Sequence, residues 1–166
     1  IDERSRNMLL EYISECSNNG YQVFSHNQAP DGNFVSPTLI ELNSIDDINE
    51  EKFGPILHVI KYKTDELDQI LNALKNKQYG LTMGVHSRIE SKADDIINKS
   101  IAGNTYINRD IVGAVVGSQP FGGTGLSGTG FKAGGPNYLL QFVDERSITK
   151  NTVAFGGNAE ILNLED

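Results

Sequence analysis

Cysteine, methionine and tryptophan are scarce in this sequence of 166 residues, which holds one cysteine, two methionines and no tryptophan. A single cysteine excludes an internal disulfide and favours an intracellular setting. Cys16 follows Glu15 in an amphipathic stretch, and an acidic neighbour disfavours the reactive thiolate. We therefore interpret Cys16 as a structural thiol carried on a helix and not as a nucleophile.

Basic residues are also in the minority, with 14 Lys and Arg against 22 Asp and Glu, for a net charge of -8. This balance argues against nucleic acid or an anionic membrane as the main partner. No apolar run approaches the roughly 20 residues that cross a bilayer. The start at Ile1 has neither an initiator Met nor the layout of a signal peptide, so we expect a piece of a longer chain.

Histidine is too sparse and too scattered for a metal site, since His26, His58 and His86 have no i, i+4 pairing and no cysteine partner. His58 lies in an apolar run, which favours a semi-buried, hydrogen-bonded ring. No residue order indicates a Ser-His-Asp triad.

Apolar periodicity predicts the secondary structure. Helices are expected at residues 3–18, from an N-cap at Thr64 onward with Leu67, Ile70, Leu71 and Leu74 buried, and at 89–100. Strands are expected at residues 21–25, 34–40, 57–62, 81–86, 105–108 and 111–116. Helices alternating with strands indicate an α/β fold with a largely parallel sheet.

Glycine is plentiful from residue 113 to residue 135. Glycines let the backbone turn its amides toward a ligand, and Ser127 and Lys132 would add a hydroxyl and a positive charge. The segment therefore suits a carboxylate or a phosphate, although its spacing is not that of a phosphate-binding loop. A flexible glycine loop is an equally weighted alternative.

Two other polar features are less specific. Glu50 and Glu51 precede an aromatic and a Gly-Pro turn, and a carboxylate there could accept hydrogen bonds from sugar hydroxyls. A solvated acidic face is the alternative. Arg109 could hold a carboxylate bidentately, although a structural ion pair is the commoner role for such an arginine.

Several motifs together resemble the aldehyde dehydrogenase superfamily. Glu51-Lys52-Phe53-Gly54-Pro55 is similar to its Glu-x-Phe-Gly-Pro motif, and Gln119-Pro120-Phe121-Gly122-Gly123 with Ser127-Gly128 is similar to its Pro-Phe-Gly-Gly…Ser-Gly motif. Residues 34–39 lie where the superfamily has its Pro-Thr-Leu/Ile stretch. Residues 103–109, 113–117, 126–130 and 132–136 narrow the resemblance to the glutamate-semialdehyde dehydrogenase branch. Residues 151–159 look like the segment that follows the dehydrogenase region in bifunctional members of that branch.

This resemblance implies an α/β fold, the three-layer α/β/α architecture of aldehyde dehydrogenases, of which only the C-terminal portion is present. Residues 1–147 would be the remainder of the catalytic domain with a substrate anchor loop, and residues 148–166 a C-terminal tail. Glu51 would bind the nicotinamide ribose of NAD and Phe53 would pack near its ring. The substrate's carboxylate would be anchored by Ser127, Gly134 and Gly135.

The implied reaction is NAD-dependent oxidation of glutamate semialdehyde to glutamate in proline catabolism, in a bacterial cytoplasm. The family's nucleophilic cysteine and general-base glutamate lie upstream of this chain, so no catalytic residue is named. We expect the chain alone to be inactive and to bind NAD weakly. A non-catalytic oligomerising or ligand-binding module and one half of a split enzyme are the alternatives. Because a divided α/β sheet exposes edges and apolar surface, we also expect a homo-oligomer.

Overall fold

The computed structural model describes residues 2–26, 28–151 and 154. In this part of the chain the helices are α1 (Glu3–Asn18), α2 (Leu67–Lys77) and α3 (Glu90–Lys99). The strands are β1 (Gln22–Ser25), β2 (Thr38–Leu42), β3 (Ile56–Ile60), β4 (Tyr79–Gly80), β5 (Thr82–Val85), β6 (Asn104–Ile107) and β7 (Thr124–Gly125). Short 3-10 helices span Ile45–Asp47, Thr64–Glu66 and Tyr138–Phe142. None of the helices in these ranges is long and apolar enough to cross a bilayer.

The first core forms between α1 and the sheet β1-β2-β3. Strand β2 is central, antiparallel to β1 and parallel to β3. Its alternating pattern buries one face, where Ile40 is fully buried beside Leu42 and Cys16 of α1. Cys16 is 4% exposed, so it lies where a structural thiol was expected.

The second core lies between α2, α3 and the parallel pair β5–β6. Its buried members are Leu71, Val85, Ala93 and Ile96. The helical stripe predicted for α3 is confirmed, because Ala93 and Ile96 are buried and Ile97 packs against them. The stripe predicted for α2 is correct at Leu71 and wrong at Leu74, which is 38% exposed.

The α/β class is confirmed, but the expectation of a largely parallel sheet is wrong. In the described ranges the strands form three separate sheets. The pairs β2–β3 and β5–β6 are parallel, while β1–β2 and β4–β7 are antiparallel. The sequence pattern identified strands without specifying which neighbours each strand would pair with.

Three local predictions need correction. The strand expected at 34–40 begins only at Thr38, immediately after Pro37, which has no N–H for a ladder. Thr64 is not the N-cap, because it is the first residue of the 3-10 helix Thr64–Glu66, whose N-cap is Lys63, and Glu66 is the N-cap of α2. The strand expected at 111–116 is a loop, whose backbone turns at Gly113 and Gly117 with φ of 134° and 83°.

Candidate functional site

The segment that carries Glu51 and Phe53 connects the first 3-10 helix to β3. It is fixed to α1 at Gly54, where an added Cβ would lie 2.5 Å and 2.8 Å from the two Leu9 methyl carbons. It is fixed to β2 at Pro55, whose carbonyl accepts a hydrogen bond from the Thr38 amide at 2.9 Å. Gly54 and Pro55 therefore have structural roles, because they fix the segment that carries the Glu51 and Phe53 side chains.

Glu51 and Phe53 share a shallow cavity of about 180 Å³ with the first turns of α1. Both are exposed, and Phe53 is 81% exposed. An exposed carboxylate beside an exposed aromatic ring presents a hydrogen-bond acceptor and a flat apolar surface to the same ligand. This arrangement is compatible with the predicted cofactor roles, which remain predictions.

A polar cluster beneath this segment was not foreseen. The Lys52 ammonium pairs with Glu50 and lies 4.4 Å from the centre of the Tyr12 ring. The Tyr12 hydroxyl and His58 Nε2 are hydrogen-bonded at 2.8 Å. Residues 12, 52 and 58 come together only because α1 packs on β3, and no short-range spacing links them. The semi-buried, hydrogen-bonded state predicted for His58 is confirmed.

Burial governs the ionisation of the two rings in this cluster. Burial raises the pKa of Tyr12 well above its ordinary value, so its hydroxyl stays protonated. Burial, and then the positive charge of Lys52, lowers the pKa of His58. The neutral imidazole is therefore favoured next to the segment that carries Glu51.

The glycine-rich segment is a set of hydrogen-bonded turns. Phe121 and Ala133 exchange backbone hydrogen bonds of 3.1 Å and 2.8 Å. Strand β7 pairs with β4, which fixes the middle of the segment. Because its turns are tied by backbone bonds, the flexible-loop alternative receives no support from the structure.

The three residues predicted to anchor a carboxylate occupy different places in this segment. Ser127 Oγ accepts a hydrogen bond from the Gly80 amide at 3.1 Å. The Gly134 carbonyl accepts from the Gly117 amide at 3.0 Å, and the Gly135 amide donates to the Lys132 carbonyl at 2.9 Å. Gly135 also lines an open cavity of about 420 Å³. The wall of that cavity comprises Pro120, Thr129, Gly130, Phe131, Lys132, Gly135, Pro136 and Asn137.

Lys132 does not present its charge to a ligand in the way the sequence suggested. Its ammonium donates to the carbonyls of Gly103, at 2.6 Å, and Gly122, and lies 3.4 Å from Asn104 Oδ1. Burial lowers the pKa of Lys132. Its hydrogen bonds are therefore directed at the protein's own backbone. Asn104 was not singled out from the sequence, since nothing local indicates that its side chain reaches residue 122.

The remaining candidates have structural contacts. The Arg109 guanidinium donates to the carbonyls of Asp110 and Val112 at 3.3 Å and 3.2 Å and lies 5.0 Å from the centre of the Tyr106 ring. These contacts favour the structural alternative for Arg109. Among the described residues, no three His, Cys, Asp or Glu side chains cluster in a way that could hold a metal ion.

Comparison with known proteins identifies the family. The model of the aldehyde dehydrogenase family matches residues 1–148. The chain belongs to the aldehyde dehydrogenase family. Its fold is therefore an α/β aldehyde dehydrogenase fold in part, as predicted.

Relatives within the family include bifunctional and monofunctional enzymes. The chain is 53% identical over 115 residues to the Bifunctional protein PutA of Klebsiella aerogenes, covering 69% of this chain and 9% of that protein. A crystal structure of a Bradyrhizobium japonicum Proline Utilization A (PutA) mutant matches with a TM-score of 0.83 and 46% identity, covering 93% and 16% of the two chains. A Thermus 1-pyrroline-5-carboxylate dehydrogenase with bound NAD matches with a TM-score of 0.74 and 35% identity, covering 86% and 28%.

The chain thus spans less than a third of the length of each of these relatives. The predicted boundary between residues 147 and 148 remains a prediction. Most of the predicted tail lies outside the described residues, which include only 148–151 and 154 of it.

Proposed function

We propose that this chain is the C-terminal part of an L-glutamate γ-semialdehyde (1-pyrroline-5-carboxylate) dehydrogenase, which oxidises its aldehyde substrate to glutamate with NAD in proline catabolism. The main support is that the Thermus 1-pyrroline-5-carboxylate dehydrogenase matches 86% of the chain with a TM-score of 0.74, and that the PutA structure matches 93% of it with a TM-score of 0.83. The two motif segments are both built into rigid contacts, one on α1 and one on β4 and β6.

The chain's own residues fit one edge of a dinucleotide site. A cavity of about 180 Å³ is too small to enclose a dinucleotide, but its exposed Glu51 carboxylate can accept hydrogen bonds from ribose hydroxyls. The exposed Phe53 ring offers a flat face to a nicotinamide. NAD, when bound, supplies the hydride acceptor. Glu51 and Phe53 orient its ribose and ring.

The substrate's carboxylate is assigned to the glycine-rich segment, with Ser127, Gly134 and Gly135 as the anchor. Gly135 lines the 420 Å³ cavity, which has room for a five-carbon amino acid aldehyde. Ser127 accepts from the Gly80 amide and keeps its own hydroxyl proton available for donation. The Ser127 hydroxyl can donate to a carboxylate oxygen, whereas the Gly135 amide already donates to the Lys132 carbonyl, so Gly135 contributes to the wall of the cavity.

We expect this polypeptide alone to form no NADH from glutamate semialdehyde. Aldehyde oxidation by this route needs an accessible thiolate, and Cys16 is 4% exposed in the core beneath α1. The measurement is NADH formation by the isolated chain beside a full-length protein that carries the same segment. Turnover by the isolated chain would contradict the inactivity, and an inactive full-length protein would contradict the proposed function.

Glu51 can be tested in that full-length protein. Glu51→Gln keeps the size of the side chain and removes one charged acceptor, so we expect the KM for NAD to rise about tenfold. The matched control is Glu50→Gln, because the neighbouring carboxylate pairs with Lys52. Equal effects of both substitutions would remove the special role given to Glu51.

We also propose that the parent protein is a cytoplasmic homo-oligomer with a small-molecule carboxylate substrate. Retention of ligand binding by the isolated chain without activity would instead favour the non-catalytic module. Restoration of activity by a separate chain that carries the cysteine would favour the split enzyme.

A further inference from the structure

The side chain of Lys132 lies in a narrow space beside Gly103 and Gly122, where the side chain of any other residue would clash. An added Cβ at Gly103 would collide with the Gly122 carbonyl and with the Lys132 ammonium. An added Cβ at Gly122 would lie 2.7 Å from the Phe131 carbonyl and 3.4 Å from Cδ of Lys132. The side chain of Lys132 therefore passes between two glycines that are 19 positions apart in the sequence.

The ammonium ends among acceptors that belong to the two segments it joins. It bonds the carbonyl of Gly103, just before β6, and that of Gly122 in the glycine-rich segment. Asn104 supports the same junction, since its Nδ2 donates to the Pro120 carbonyl at 3.0 Å and its Oδ1 accepts from the Gly122 amide at 3.1 Å. The hydrogen bonds of the Lys132 ammonium are made to neutral oxygens, so its charge holds the two segments together and does not form an ion pair with them.

The contacts that join the glycine-rich segment to the start of β6 lie next to the 420 Å³ cavity. Lys132 and Pro120 both line that cavity, and the Lys132 carbonyl accepts from the Gly135 amide. The Gly134 carbonyl in turn accepts from the Gly117 amide, which couples the loop before the motif to the same turn. A shift of Lys132 would therefore move both loops at the mouth of the cavity.

We propose that Lys132 is a positioning residue, which pins the glycine-rich segment to the start of β6 and thereby sets the shape of the carboxylate-binding cavity. This inference rests on the proposed function for the identity of the ligand. Lys132 acts through the carbonyls of Gly103 and Gly122. Its side chain forms part of the cavity wall, but its ammonium bonds these two carbonyls and not the substrate.

The test is made in a full-length protein that carries this segment, with Lys132→Met and the control Lys150→Met, which removes an exposed lysine. Lys132→Met should raise the KM for glutamate semialdehyde about tenfold, because the loosened segment misplaces the groups that bind the carboxylate, while the KM for NAD stays within about twofold. An unchanged KM for the aldehyde would overturn the proposal.

Hydrogen exchange of the ligand-free protein separates positioning from direct contact with the substrate. Lys132→Met should speed exchange in residues 117–135, whose amides bond across the turns, and Lys150→Met should not. A raised KM with unchanged exchange would mean that Lys132 touches the substrate, and would overturn the proposal.

Chemical restoration of the ammonium at residue 132 distinguishes loss of its hydrogen bonds from general misfolding of the variant. Lys132→Cys is alkylated with 2-bromoethylamine, which rebuilds a lysine-like ammonium, and exchange is measured because the reagent also modifies other accessible thiols. If slow exchange returns in residues 117–135, the positioning role of Lys132 is supported. If slow exchange does not return, that role is overturned. If the unmodified protein oxidises no glutamate semialdehyde, the proposed function fails, while the exchange comparison still decides the role of Lys132.

Discussion

At the scale of single residues, Gly54 shows how one missing Cβ allows α1 to lie against the Glu51–Pro55 segment. Gly54→Ala would place a methyl group 2.5 Å from a buried Leu9 methyl carbon, so we expect the free energy of unfolding to fall by about 1–3 kcal/mol through overpacking. Urea unfolding of the chain measures the change.

The control for that prediction is a double-mutant cycle with Leu9→Ala, which removes the atoms that would clash. The cost of Gly54→Ala should be smaller in the Leu9→Ala background. An equal cost in both backgrounds would show that the methyl group at residue 54 acts by some route other than α1.

His58 gives the molecule a pH dependence whose direction follows from its environment. Burial and Lys52 lower its pKa below the ordinary 6.5, so the unfolded chain binds the proton first as the pH falls. The stability contributed by neutral His58 is complete above pH 6.5 and is lost as the pH falls from 6.5 toward the lowered folded-state pKa. One proton limits the slope to about 1.4 kcal/mol per pH unit, and partial solvent exposure reduces it further.

The measurement is the free energy of unfolding in urea across this range for the chain and for His58→Gln. The variant should lack the part of the slope that His58 contributes. A slope that survives His58→Gln would assign the acid sensitivity to another group.

At the scale of elements, two non-glycine residues in the described part of the chain adopt a left-handed backbone, and substitution by glycine should affect stability in opposite directions at the two positions. Gln78 ends α2 with φ of 61°, and its contacts there are made by its backbone, so Gln78→Gly should stabilise the chain by about 0.5–1 kcal/mol. Asn108, with φ of 53°, exchanges two side-chain hydrogen bonds of 2.9 Å with the backbone of Ser87. Asn108→Gly should therefore destabilise it.

Thermal or urea unfolding of both variants tests the comparison. The same sign at both positions would mean that backbone strain and side-chain bonding are not the deciding contributions. Gln78→Asn should lie between Gln78 and Gln78→Gly, because asparagine tolerates this conformation better than glutamine.

The helices were predictable because one buried face repeats at a period the sequence displays, as Ala93 and Ile96 of α3 show. Strand pairing was not, since the alternation of β2 says which face is buried but not that β1 runs antiparallel beside it. Val115 and Val116 mimic a strand, yet the glycines at 113 and 117 turn the backbone instead. The strand preference of the two valines is overridden in this segment, because the flanking glycines adopt backbone conformations with positive φ that other residues rarely adopt.

The candidate site was predictable only as far as its motifs are local. Glu51 and Phe53 are neighbours in sequence and share a cavity. The pairing of Lys132 with Gly103 joins residues 29 positions apart, and a long lysine side chain gives no periodic signal. The charge of Lys132 therefore suggested a ligand-binding role, although its ammonium donates to backbone carbonyls of the protein.

At the scale of the whole molecule, the described surface carries many large apolar side chains. Leu139, Phe142 and Val143 are 72%, 66% and 64% exposed, and Val116 is 86% exposed. Apolar surface of this extent favours association. We expect the isolated chain to sediment as a dimer or larger species at micromolar concentration. A single monomeric boundary would contradict the expectation, and Leu139→Lys with Phe142→Lys should shift any association toward monomer.

Because Cys16 is buried, the rate at which the chain's single thiol is chemically labelled can report opening of the structure around it. Because Cys16 is 4% exposed, we expect a thiol reagent to label it when α1 separates from β2, so that the labelling rate reports how often this interface opens. Where that rate follows the full unfolding equilibrium, α1 and its sheet open only with the molecule as a whole. Where labelling is faster, the N-terminal helix is a separately opening part, and the frequency of that event can be read without adding a probe.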